Sequence, residues 1–377
     1  MPPQELASRF DRLDAVLEGW TIHGNVPAIA YAIGDSHGEI IARQFGRQSR
    51  DRDQPLREDA LFLVASLTKP LTVMAVMMLV ERGLITLDDR VRSFVPEFLK
   101  HGKGEVTLRH LMTHTSGLPD MLPQNDRLRA GHQPLSTFVA ATNDGELLFE
   151  PGTEVRYQSM GTLMLGEIVR QVDGRDLARF LHDEVFLPLG MANSWLGAPV
   201  EVHHRIAEIA LMPALAATDW HWNSPYWRSL GAPWGGLVTT TTDFAQICRL
   251  FLAGGAVQGT RIISRATVRQ MTSHALVAFP KLAREELRCR PWGLGWRHVW
   301  PGSSSHFGNL LSPRAYGHWG ATGTLCWIDP ACDAFAVIFS TKPAGSEGRH
   351  LALASNLIAA GLNSAIGEDF MKSHANV

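Results

Sequence analysis

From Ser66 to Gly83 the chain reads Ser-Leu-Thr-Lys-Pro-Leu-Thr-Val-Met-Ala-Val-Met-Met-Leu-Val-Glu-Arg-Gly, apolar on nearly every face, with Pro70 near its first turn and Gly83 as its stop. A helix with no polar face must be enclosed by protein on all sides. Enclosure needs a large core, and 377 residues at about 150 per domain allow two to three structural units. No apolar run reaches the roughly 20 residues that span a bilayer, so the helix is expected inside a soluble protein. At its start stand Ser66 and, three residues on, Lys69.

Strand patterns gather at the two ends of the chain. Residues 27–34 are apolar and partly β-branched, Asp35-Ser-His-Gly38 supplies a turn, and Glu39-Ile-Ile-Ala-Arg-Gln-Phe45 resumes an extended pattern, which together read as a β-hairpin. Gly323-Thr-Leu-Cys-Trp-Ile-Asp329 and Ala334-Phe-Ala-Val-Ile-Phe-Ser-Thr341 read as late strands, followed by an amphipathic helix over about 349–361. Between them, residues 105–118, 134–147, 158–173 and 175–190 carry helical patterns broken by Gly and Pro. Strands joined by short turns pair antiparallel. The expected fold is α/β, an antiparallel sheet flanked by terminal helices with a mostly helical domain inserted, divided as 1–84, 85–232 and 233–377.

A serine hydroxyl needs a neighbouring base to act as a nucleophile near neutral pH. Ser66 is the only serine with a lysine three residues later, and that spacing stacks the two side chains on one helix face. Burial would favour the neutral amine, and the helix N-terminus offers N–H groups to an oxyanion. Of the four tyrosines, only Tyr157 is followed two residues on by a small polar side chain, Ser159. Tyr316-Gly-His-Trp-Gly-Ala-Thr-Gly-Thr324 is a glycine-rich approach to a strand, where a substrate can lie close to the backbone.

Ser66-x-x-Lys69, Tyr157-x-Ser159 and His318-x-Gly320, in that order, resemble the serine β-lactamase and penicillin-binding-protein superfamily. The branch they are most similar to holds class C β-lactamases, DD-peptidases and family VIII carboxylesterases. Leu108–Leu118, Gly235–Phe244 and Trp292–Trp296 look like the same family. The resemblance implies Ser66 as nucleophile, Lys69 and Tyr157 as the proton-transfer pair, and an oxyanion hole from the N–H groups of Ser66 and Ala321. It also implies an α/β domain from both termini, a helical domain between, and a site where they meet.

The motifs depart from the β-lactamase pattern, in which Tyr-x-Asn and Lys-Thr-Gly bind the acylamino group and the β-lactam carboxylate. Here Ser159, His318 and Trp319 stand in those places, and a mostly neutral imidazole beside an indole lacks the ammonium and hydroxyl that hold an anion. With an ordinary imidazole pKa, His318 would gain charge as pH falls toward 6. The aromatic stretch Asp219–Trp234, with Trp222, Tyr226 and Trp227, is expected to wall the acyl or alcohol pocket, and Gly320 to line the edge strand. The reading is a serine carboxylesterase acting on small or short-chain esters through an acyl-enzyme. The alternatives are a β-lactamase or DD-peptidase, and a non-catalytic scaffold or sensor.

Other features bound the partners. Lys plus Arg number 35 against 37 Asp plus Glu, which leaves a net charge of −2 and no basic surplus for nucleic acid. His110 and His114 stand four apart without the glutamate of a zinc-binding helix, and are expected to be structural. No metal or cofactor is expected. The four cysteines show no pair spacing, and the N-terminus lacks a basic start and an apolar stretch, so a cytoplasmic location with reduced thiols is expected. The partner is a small ester, with no membrane, and self-assembly into a homo-oligomer is left open.

Overall fold

The computed structural model describes residues 9–49, 54–299, 306–345 and 348–374. Helix α1 (Asp11–Ile22) precedes strands β1 (Ala28–Gly34) and β2 (Glu39–Gly46), which form the hairpin expected from the sequence. Asp35 shapes its turn, its carboxylate accepting from the N–H groups of His37 at 2.8 Å and Gly38 at 3.0 Å. The short strand β3 (Phe62–Leu63) leads through a single 3₁₀ turn, Ala65–Leu67, into helix α2 (Thr68–Glu81). Every α2 residue from Thr68 to Leu79 is buried, as its uniform apolarity requires, and Gly83 ends it at φ +70°.

The middle of the chain contributes α3 (Leu108–Met112), α4 (Leu135–Asp144), α5 (Met160–Asp173) and the two-residue strand β4 (Trp195–Leu196). Helix α3 is shorter than the pattern over 105–118 suggests. It stops at Met112, and His114 adopts φ 62°, so His110 and His114 do not share a helix face. The His110 ring instead caps α3, its Nδ1 accepting the Thr107 N–H at 3.0 Å.

Strand β5 (Leu237–Thr239), helix α6 (Thr241–Leu252), β6 (Arg297–His298), β7 (Tyr316–Gly320), β8 (Thr324–Asp329), β9 (Ala334–Ser340) and helix α7 (Arg349–His374) complete the elements that bear on the site. The last helix runs past residue 361, where the sequence pattern suggests its end. Six strands form one antiparallel sheet in the order β2-β1-β9-β8-β7-β6, so strands from both chain ends meet at the β1–β9 pair, with Tyr31 opposite Ile338. One face, carrying Ala30, Val337 and Cys326, joins the core around α2 and α6. The other, carrying Tyr31, Ile338 and Trp327, packs under α1 and α7. The fold class is the α/β arrangement expected from sequence, with burial on both faces explaining why these strands read as continuous apolar runs.

A second, three-stranded sheet has the order β3-β5-β4 and pairs Phe62 with Thr239 and Trp195 with Val238. It joins the lead-in to Ser66 to two segments far along the chain. Tyr31, fully buried, donates from its hydroxyl to Asp14 Oδ1 at 2.7 Å and so ties α1 to the central strand. Tyr31→Phe should lower the urea midpoint by the equivalent of about 1 kcal/mol without changing the slope of the transition, the usual net worth of one such bond. Equilibrium unfolding followed by tryptophan fluorescence measures it.

Candidate active site

The 3₁₀ turn that carries Ser66 is entered through Ala65 at φ 47°, a left-handed conformation that costs a non-glycine residue free energy and turns the following side chain out of the strand direction. Ser66 is half-buried. Lys69 is 2% exposed, and its Nζ lies 3.1 Å from Ser66 Oγ and donates to the Trp234 carbonyl at 3.0 Å. The segment supplying that carbonyl is stapled to the same helix. Thr72 Oγ1 donates to Pro233 O at 2.7 Å, the Leu237 N–H donates to Thr68 Oγ1 at 3.1 Å, and the Val64 N–H donates to Leu237 O at 3.0 Å. Burial disfavours the ammonium and lowers the Lys69 pKa to about 7, against a smaller upward pull from the Asp120 carboxylate.

Tyr157 reaches the same point from the loop before α5. Its ring centroid lies 4.5 Å from Lys69 Nζ. Burial raises the phenol pKa, a side-chain hydrogen bond with Ser66 opposes this, and the Asp120 charge adds to it. The ring is framed by His114 at 4.8 Å, Trp292 at 6.0 Å and His318 at 6.1 Å, measured between centroids. His114 and Trp292 also meet edge to face at 4.4 Å. The Gln158 N–H donates to His114 Nδ1 at 3.3 Å, and burial followed by the Lys69 charge holds this imidazole neutral.

His318 is fully buried on β7, and its Nδ1 lies 2.8 Å from the Trp319 carbonyl. A carbonyl only accepts, so Nδ1 carries the proton and Nε2 presents a lone pair. Burial first, and Lys69 second, depress its pKa to about 3. The expectation that His318 gains charge near pH 6 is therefore corrected. The ring stays neutral there because an imidazolium would be desolvated beside a second cationic group.

Strand β7 ends where Gly320 touches the serine turn. A Cβ at Gly320 would stand 2.3 Å from Val64 O and 3.2 Å from Ala65 Cβ, so only glycine allows this approach. Two hydroxyls hold the strand in place, Thr322 Oγ1 donating to Leu63 O at 2.7 Å and Thr324 Oγ1 to Val64 O at 2.8 Å. Ala321, exposed and directly after Gly320, thereby comes alongside the Ser66 turn.

The remaining sequence candidates divide. Ser159, 2% exposed at the start of α5, donates its hydroxyl to Asp120 Oδ1 at 2.6 Å. Trp319 takes the strand face opposite His318 and stacks on His306 at 4.8 Å, with the Arg297 guanidinium 4.9 Å over its ring. Trp227 is corrected as a pocket wall. It is 4% exposed, packs against Trp234 and lies under the Arg129 guanidinium at 4.2 Å, so its ring backs the site and offers no surface to a ligand. Tyr226 stacks on His132 and donates to Gln133 O at 2.8 Å, and Trp222 rests half-buried on the core.

Sequence reasoning missed two charges. Asp120 acts electrostatically on both Lys69 and Tyr157, and Arg297 on Tyr157 and His318. They lie two residues and one residue beyond the stretches Leu108–Leu118 and Trp292–Trp296, and nothing in their spacing ties them to Ser66. Arg297 stands on β6, paired with Gly317 of the strand that carries His318, and brings a guanidinium there.

The family model described as Beta-lactamase matches residues 6–360. A protein of Salmonella enteritidis PT4 named "Putative D-alanyl-D-alanine carboxypeptidase" is 27% identical over 374 residues, covering 87% of this chain and 82% of that one. Among solved structures, a penicillin-binding protein homologue from Caulobacter crescentus aligns with a TM-score of 0.77 at 24% identity, covering 94% of this chain and 97% of that one. A family VIII carboxylesterase aligns with a TM-score of 0.75 at 22% identity, covering 92% and 97%. These structures share the fold.

Two measurements check the geometry. His114 and His318 are neutral when folded but protonate in the unfolded chain below about pH 6.5, so stability should fall as pH drops below that value, by up to about 1.4 kcal/mol per pH unit for each ring. Urea midpoints at pH 7.5 and pH 5 read this loss. Gly320→Ala should push β7 off the serine turn and reduce labelling of Ser66 by a fluorophosphonate at least about tenfold, since misplacing the reacting groups by about 1 Å can cost a hundredfold.

Proposed function

Since the chain belongs to the Beta-lactamase family and is a hydrolase of the serine β-lactamase and penicillin-binding-protein superfamily, we propose that it is a carboxylesterase that cleaves small esters through an acyl-Ser66 intermediate. The observation that carries this reading is the buried Lys69 amine, 3.1 Å from Ser66 Oγ with its pKa lowered to about 7. At neutral pH a large fraction of this amine is unprotonated and able to take the serine proton.

Ser66 Oγ attacks the ester carbonyl while Lys69 Nζ accepts its proton. The tetrahedral oxyanion lies against the N–H groups of Ser66 and Ala321. Tyr157, whose raised pKa keeps it a phenol, gives its proton to the departing alkoxide and recovers one from Lys69. The C–O bond breaks, the alcohol leaves, and acyl-Ser66 remains. Water then attacks the acyl carbon, its proton passing back through the same pair, and the acid is released with Ser66 restored.

Ester specificity rests on β7, which lies one strand in from the β6 edge and not at the edge expected from sequence. His318 is neutral and Trp319 faces the other side, so neither supplies the ammonium and hydroxyl that hold a β-lactam carboxylate. Arg297 favours a second reading, a peptidase or β-lactamase acting on carboxylate-bearing substrates, because its guanidinium is the fixed cation within electrostatic reach of Tyr157 and His318. The name of the Salmonella relative points the same way.

Ser66→Ala should abolish turnover and fluorophosphonate labelling, and Lys69→Ala and Tyr157→Phe should each lower kcat about 10²- to 10⁴-fold with less change in KM. The kcat/KM for a neutral ester should rise about tenfold per pH unit below the Lys69 pKa of about 7 and level above it, since the amine must lose its proton to act. Acetyl and butyryl esters, a chromogenic cephalosporin and a D-alanyl-D-alanine peptide compared at pH 8 separate the two readings. Ester turnover well above the other two is expected. Cephalosporin or peptide turnover that equals it, and collapses in Arg297→Gln, would replace the esterase reading with the second.

A further inference from the structure

The proposed ester chemistry leaves open which acyl groups the site takes, and the wall formed by Asp120 and Ser159 bears on that choice. Where relatives with Tyr-x-Asn present an amide, this chain has a serine whose single hydroxyl proton is already committed to Asp120 Oδ1 at 2.6 Å. Ser159 is 2% exposed, so its hydroxyl is turned to the Asp120 carboxylate and away from solvent. Asp120 itself is exposed. A carboxylate is acceptor-only, so a substrate meeting it needs an N–H, an O–H or a positive charge.

The Asp120 position is fixed at both ends. Its backbone carbonyl accepts the Ser159 N–H at 3.3 Å, and Pro119 precedes it. Among the described residues the carboxylate has no ion-pair partner, and its one side-chain bond is the one from Ser159. It is joined to the Tyr157 segment through both Ser159 bonds, and its charge acts on Lys69 and on Tyr157. The cations nearby are otherwise engaged. Arg129 is buried over the Trp227 ring, and Arg297 lies over Trp319 at the β7 end. Charges of both signs thus act on Tyr157, Asp120 from the segment bonded to Ser159 and Arg297 from β6.

We propose that the Asp120 carboxylate, oriented by Ser159, makes the acyl side of the site anionic, so that the acyl groups taken carry an ammonium close to the ester carbonyl, as in amino-acid esters. The ammonium would donate to the carboxylate oxygen left free by Ser159, while the carbonyl lies over Ser66. Acyl groups ending in a carboxylate would meet like charge and be turned away. This inference rests on the esterase reading and adds the substrate class to it.

The test compares three ethyl esters of similar length, of β-alanine, butyric acid and succinic acid as its monoester. Wild-type kcat/KM is expected to be about 10- to 100-fold higher for the β-alanine ester than for the butyrate ester, the worth of one charge-assisted hydrogen bond, and lowest for the succinate monoester. In Asp120→Asn the β-alanine to butyrate ratio should fall toward one and the succinate monoester should gain on butyrate, while Asp120→Glu should restore the preference for the ammonium. The readout is a ratio, which a general loss of active protein does not move. Butyrate hydrolysed as fast as the β-alanine ester by the wild-type protein would overturn the inference and leave the esterase reading standing, and this arm needs no variant to fold. No hydrolysis of any of the three would instead overturn the esterase reading on which it rests.

Discussion

An amine buried beside a serine hydroxyl is the constraint on which the rest of this structure depends. Taking Lys69 out of water is costly unless its nitrogen has partners, and two are supplied, Ser66 Oγ and the Trp234 carbonyl. The second comes from 165 residues along the chain. With that contact go two bonds that clamp residues 233–237 to α2, a third to Val64 ahead of the serine turn, and a helix buried from Thr68 to Leu79. The same desolvation that makes the site hard to build gives the amine a pKa near neutrality, so stability and reactivity are linked through one atom.

Backbone strain and close approach both occur around that atom. Ala65 and His114, both non-glycine residues with positive φ, flank the serine turn and the Tyr157 loop respectively. Each departure is held by dense local contacts, Ala65 by the Gly320 approach and His114 by the rings of Tyr157 and Trp292. Glycine at 320 lets β7 lie against Val64 and Ala65, at the entry to the serine turn, without displacing them. The outcome is a serine, an amine and a phenol brought together at one point.

Charge then decides what such a centre can accept. The neutral His318 and the outward Trp319 remove one way of holding an anion, whereas Arg297 brings a guanidinium over Trp319 and Asp120 brings a carboxylate to Ser159. If the acyl groups taken carry an ammonium, as proposed, such a site discriminates by where a substrate carries its charge, because unpaired charge away from water is a costly mismatch.

Much of this was legible in the residues alone, and the reason is local. The helix after Ser66, the hairpin of β1 and β2 and the late strands β8 and β9 announce themselves through periodicity and turn chemistry within windows of about ten residues. Ser66 and Lys69 are linked by helical spacing, and Tyr157 with Ser159 by a motif of three. What tertiary structure alone decided involves residues remote in sequence. The end of α3 at Met112, the neutrality of His318, the burial of Trp227 and the action of the Asp120 and Arg297 charges on Tyr157 all depend on how distant segments come together. Spacing along a chain encodes which side chains share a face. It does not encode desolvation, which belongs to a volume enclosed by several segments at once, and in this protein desolvation is what sets the charge of Lys69 and His318.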